Sequence, residues 1–195
     1  MNFPQLHASF REAWKWVDTE FRHFARINPG RRLNQFLTAA RVELIECLTL
    51  RDGERTIAQY SEESQDVFRF DRELIGQKTP QERVAISIHE ITEGFGIDLR
   101  LFSGWGFDII RPEHDYAEYV ETFYREQFGL PPCELALDEP TWARMEKMDR
   151  FFRRYREHRV PYLGDKIDTV LRNEPGISID DSLRDRIKRM GIIPR

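Results

Sequence analysis

Cysteine is nearly missing: the 195 residues contain two, Cys47 and Cys133. They lie too far apart for a CxxC zinc site and are too few for a disulfide framework, so both are expected as small, partly buried side chains. Long apolar runs are missing as well. Nothing approaches the ~18 consecutive apolar residues of a membrane span. The opening MNFPQLHASFREAW has no basic stretch followed by an apolar one, so no secretory signal is expected and a cytoplasmic location is. Nor is there an excess of positive charge. A net charge of −4 disfavours general binding to a nucleic-acid backbone. Arginine gathers locally at Arg31/Arg32, from Arg150 to Arg159 and from Arg184 to Arg195, where it could meet a nucleotide's phosphates or form a solvated helix face. Repeats and low-complexity tracts are also absent.

What is there is an ordinary globular composition, 40% hydrophobic and 33% charged, long enough for one domain with its own core. The dominant period is near 3.6. Phe10, Trp14, Val17, Phe21 and Phe24 step by three or four, which marks an amphipathic helix; Trp14, Trp16, Phe21 and Phe24 could serve core packing or a homodimer contact. A second helix is expected from Arg31 to Leu50, closed by Asp52-Gly53, and a third from Thr56 to Phe70. Thr79-Pro80 with Glu82 starts a fourth. Glu113 to Phe128 reads as helix before Gly129, and a long helix starts at Asp138 or Thr141 and runs to about His158. Short helices are expected within 164–195. The expected fold class is all-α, a helical bundle over 1–163 with a C-terminal helical extension over 164–195.

Within the fourth helix, AISIHEITEGFGID places His89 and Glu93 one turn apart with Glu90 beside them. Imidazole and carboxylates so spaced suit a divalent ion that activates water; the same pattern also fits an acidic, solvent-facing helix. Gly94 and Gly96 are expected to weaken the helix, leaving Asp98 beyond a bend.

Together with the rest of the chain, these residues resemble the HD-domain phosphohydrolases, notably the short phage and bacterial type acting on deoxynucleotides. His89, Glu93 and Asp98 reproduce the spacing of the family's LLHDxxExxxxD motif, with Glu90 in place of its Asp. TIAQYS, Thr56 to Ser61, resembles the family's SVAQHS, with Tyr60 where a metal-binding His stands. QFGLPP, Gln127 to Pro132, resembles RFGLP, and the family's last metal-binding Asp falls on Asp149.

The resemblance implies an HD-like helical bundle with extra N- and C-terminal helices. It also implies a divalent metal (Mn, Co, Mg, Fe or Zn) held by His89, Glu90 and Asp149, with Glu93 and Asp98 as catalytic carboxylates. Arg31, Arg32 and Arg100 are candidate phosphate contacts. Trp105 could stack on a base or plug a loop against the core. A phenol is a poorer ligand than imidazole, so Tyr60 is expected as a packed tyrosine filling the vacated volume. Two functions stay open: a metal-dependent phosphohydrolase of deoxynucleotides (dNMP or dNTP) through a remodelled site, or a catalytically inactive homologue that binds a nucleotide or a protein partner.

Overall fold

The computed structural model describes residues 3–27, 32–50, 52–61, 67–99, 111–133 and 137–157. Its elements are α1 (Phe3–Glu20), α2 (Arg22–Ala25), α3 (Leu33–Ala39), β1 (Arg41–Ile45), β2 (Ala58–Ser61), β3 (Val67–Asp71), α4 (Arg72–Gly76), α5 (Pro80–Asp98), α6 (Pro112–Gln127) and α7 (Glu139–Glu157).

The described residues are mainly helical, but the all-α expectation is overturned by a three-stranded mixed sheet. The strand order is β1-β3-β2, with β1 parallel and β2 antiparallel to β3. The expected helix from Arg31 to Leu50 stops at Ala39 and gives way to β1. The expected helix from Thr56 to Phe70 holds β2 and β3 instead. Here β-branched and aromatic residues at two-residue spacing prevail over the 3.6 period that the same apolar residues also fit. Ala58 and Tyr60 are buried on β2 while Gln59 between them is half-buried, and the central strand β3 is buried along most of its length. Asp52-Gly53 closes no helix. It forms a tight reversal in which Leu50 N–H donates to the Glu54 carbonyl at 2.8 Å, with Gly53 at φ +88°, a geometry for which glycine has no Cβ penalty.

α1, α5, α6 and α7 lie where helices were expected, whereas the first helix ends at Glu20 with α2 after it and α4 was not expected. Leu6, Phe10, Ala13 and Val17 form the buried stripe of α1, and Phe10 meets Phe68 and Phe70 of β3 edge-on. Of the aromatics with two expected uses, Phe21 and Phe24 are core residues, whereas Trp14 and Trp16 pack against the core while partly exposed. Thr79 Oγ1 accepts from Glu82 N–H and the Glu82 carboxylate accepts from Thr79 N–H, a complete capping box with Pro80 in the first turn.

The centre of the fold is α5, in contact with α1, α6 and β2. From Val84 to Gly96 all but one of its residues are buried, as expected of a helix enclosed on every side. Ile88, Ile91 and Phe95 are fully buried, each contributing ~1.5–3 kcal/mol through removal of apolar surface from water. The expected bend at Gly94 does not occur; α5 runs regularly to Asp98. Because α5 is the core helix, its Glu90 and Glu93 are carried into the interior with it.

Candidate metal centre

His89, Glu90 and Glu93 each present a ligand atom within 4.8 Å of the others. They form one wall of a cavity of about 820 Å³ that is also lined by Tyr60, Arg111, His114, Glu118, Glu121 and Arg125. Antiparallel packing of α5 on α6 makes this wall. The i, i+3 spacing puts Glu118 and Glu121 on one face of α6, as it does Glu90 and Glu93 on α5.

A chain of ion pairs crosses the site. His89 Nδ1 donates to Glu121 Oε2 at 3.0 Å, and its Nε2 lies 3.9 Å from Glu93 Oε2. The other oxygen of each glutamate is held by an arginine: Arg111 Nη2 donates to Glu93 Oε1 at 2.9 Å, and Arg125 Nε donates to Glu121 Oε1 at 2.7 Å. Burial would lower the pKa of His89, but the hydrogen bond and charge of Glu121, aided by Glu90 and Glu93, outweigh it and raise the imidazole to about 9. His114, with its ring 4.7 Å from that of His89, is pushed the other way, to about 4, by burial and by the charge on His89.

Glu90 and Glu118 lack comparable partners. Both are buried, and Glu90 Oε2 and Glu118 Oε1 accept no hydrogen bond. Burial and then the neighbouring Glu93 raise Glu90 to about 8, while burial, with Glu121 adding to it, raises Glu118 to about 7. Buried carboxylate oxygens without donors are costly. A proton neutralises such a group, and so would a divalent cation: His89, Glu90 and Glu93 form a donor set that fits such an ion, and a mixed imidazole and carboxylate set suits Mn, Fe, Co or Zn.

The residues expected at the site divide as follows. His89, Glu90 and Glu93 are brought together. Tyr60 lines the same cavity from β2, with its ring centroid 5.1 Å from that of Phe68. Asp98 ends α5 and does not line the cavity.

Asp149, on α7, is bound elsewhere. It accepts from Tyr116 Oη at 2.8 Å and Arg153 Nε at 2.6 Å, and pairs with His23 Nε2 at 2.5 Å. Burial would raise its pKa, but His23, Arg153 and Tyr116 together hold it below the ordinary carboxylate value. Arg32 is exposed at the start of α3, where its N–H donates to Gln35. Arg31, Arg100, Trp105 and the expected helices of 164–195 lie outside the described residues.

Glu118, Glu121, Arg111, Arg125 and His114 were not among the expected site residues. The signal for the first two is the Glu-x-x-Glu of α6, which repeats the Glu-x-x-Glu of α5. His114 and Asp115 form a His-Asp dipeptide in the first turn of α6. Among the described residues no helix is long and apolar enough to cross a membrane. No protein-family model, curated protein or solved structure matches this chain.

Proposed function

We propose that this chain is a divalent-metal-dependent phosphohydrolase of small phosphorylated substrates, with deoxynucleotides (dNMP or dNTP) the first class to test. The observation that carries the reading is the buried His89–Glu90–Glu93 cluster, with its unpartnered carboxylate oxygen, opening on a cavity that also presents arginines. The cavity volume of about 820 Å³ lies in the ~300–1,000 Å³ range of small-ligand sites. The deoxynucleotide class rests on the resemblance of the sequence motifs.

His89, Glu90 and Glu93 would hold the ion. When bound, it would supply Lewis acidity toward a phosphoryl oxygen and a more acidic water. Glu118, raised to about 7, can take a proton from water or pass one to a leaving oxygen near neutral pH. Arg111 and Arg125 can neutralise phosphate oxygens. Asp149, tied to His23 and Tyr116 in the core, serves the packing of α7 in this reading and does not ligate.

A specific observation favours the second reading, an inactive homologue that binds a nucleotide or a protein partner. The series Arg111–Glu93–His89–Glu121–Arg125 already alternates cation and anion without any added ion.

The deciding experiment is elemental analysis of protein purified without chelator, followed by phosphate release from deoxynucleotides with added Mn, Co or Mg. The hydrolase reading expects about one ion per chain and release that EDTA and Glu90→Gln both abolish. Neither ion nor release, in folded protein, would reject it in favour of the inactive homologue.

A further inference from the structure

The two arginines of the site are held differently. Arg125 is clamped: its Nε donates to Glu121 at 2.7 Å, its Nη1 donates to the Pro131 carbonyl at 2.8 Å, and its side chain is 14% exposed. Arg111, just before Pro112 at the start of α6, has a side chain 65% exposed and reaches into the cavity to Glu93 Oε1. Its partner Glu93 is buried and belongs to the candidate metal cluster. Glu93 therefore has two competing uses, as counter-ion to Arg111 and as ligand to a divalent ion.

A cation seated among His89, Glu90 and Glu93 would draw charge from the carboxylate that Arg111 holds. The guanidinium would then lose most of its attraction to Glu93 while still facing the cavity. A phosphate entering that cavity offers a new bidentate acceptor in reach of a flexible side chain. Without the cation, phosphate must instead compete with Glu93 for Arg111 and meet the repulsion of the buried carboxylates.

We propose that Arg111 is an exchange arm, pairing with Glu93 in the metal-free site and with a substrate phosphate in the metal-loaded one, so that divalent cation and phosphate bind cooperatively. This rests on the metal-site reading above and adds to it which residue recognises the phosphate and in what order the site fills. Arg111 acts here as a binding and positioning residue.

Thermodynamic linkage makes the coupling measurable from either ligand. The probes are Mn²⁺ alone, dAMP alone, and each in the presence of saturating amounts of the other, measured by calorimetry on the full chain. Wild type is expected to bind dAMP at least ~5-fold more tightly with Mn²⁺ than in EDTA. In Arg111→Ala two affinities should move in opposite directions: Mn²⁺ should bind more tightly, since Glu93 loses its competitor, and dAMP more weakly, with the coupling reduced to near unity. Arg111→Gln, which retains much of the side-chain volume, should reproduce both shifts.

If wild type binds Mn²⁺ but both variants retain wild-type affinities and coupling, the exchange arm is refuted and the metal site stands. Equal weakening of Mn²⁺ and dAMP in folded variants would make Arg111 merely structural, also refuting it. Absence of Mn²⁺ binding in wild type would refute both this inference and the reading it rests on.

Discussion

The ring of Tyr60 lies directly against Gly94: a Cβ at position 94 would stand 2.7 Å from Tyr60 Cδ2 and 2.9 Å from Cγ. This contact docks β2 onto α5 and sets the distance between the sheet and the helix that carries His89, Glu90 and Glu93. Gly94 is thus needed for close approach, despite the ~1 kcal/mol that glycine costs inside a helix relative to alanine.

Gly94→Ala is therefore expected to destabilise the protein by ~1–3 kcal/mol, the usual range for overpacking, despite its better helix propensity. The urea midpoint measures this. In a Tyr60→Ala background, where the ring is gone, the same substitution should become neutral or stabilising. A stabilising effect of Gly94→Ala with Tyr60 in place would show that the contact does not limit the packing.

Asp149→Asn should cost ~3 kcal/mol, the scale for breaking a buried ion pair, because His23 and Arg153 lose their charged partner and Tyr116 is left with a weaker acceptor. Mn²⁺ affinity should not change. A tenfold loss of Mn²⁺ affinity in folded Asp149→Asn protein would restore Asp149 to the ligand set that the motif resemblance implies.

Without metal, stability should fall from neutral to alkaline pH. The folded-state pKa of His89, at about 9, lies above the unfolded value of ~6.5. Its contribution is thus complete below that unfolded value and is lost as pH rises through the folded one. Glu90 acts in the same direction: it retains a proton in the folded chain up to about 8, whereas the unfolded chain releases it near ~4.3. Urea midpoints in EDTA at about pH 6 and about pH 9.5 should differ more for wild type than for His89→Gln, by ~1–3 kcal/mol. Parallel pH profiles for the two proteins would contradict the assignment.

Glu90→Gln should separate stability from function. It removes a charge that burial and Glu93 disfavour, so in EDTA above pH ~8, where Glu90 is ionised, it is expected to raise stability by ~1 kcal/mol, while divalent-ion binding falls at least ~10-fold. Lower stability together with undiminished ion binding would mean that Glu90 serves packing and not the ion.

The helices that carry the site were legible in the sequence because capping and amphipathic spacing are local. Thr79-Pro80 with Glu82 starts α5, the stripe from Leu6 to Val17 defines the inner face of α1, and Pro112 and Gly129 bracket α6. His89, Glu90 and Glu93 were visible for the same reason, since one helical turn fixes their proximity.

The sheet was not legible. Val42, Leu44, Tyr60, Phe68 and Phe70 fit two periods at once, and the choice between them rests on strand pairing that local spacing does not fix, as in the parallel pairing of Val42 with Phe68. Nor could local spacing bring Glu121 to His89 across 32 residues, or turn Asp149 toward His23 across 126. The sequence by itself determined which side chains share a helical face, because backbone geometry sets that within a turn. Only the tertiary structure decided which faces meet, and so which carboxylates surround His89, because packing and burial are properties of the assembled core.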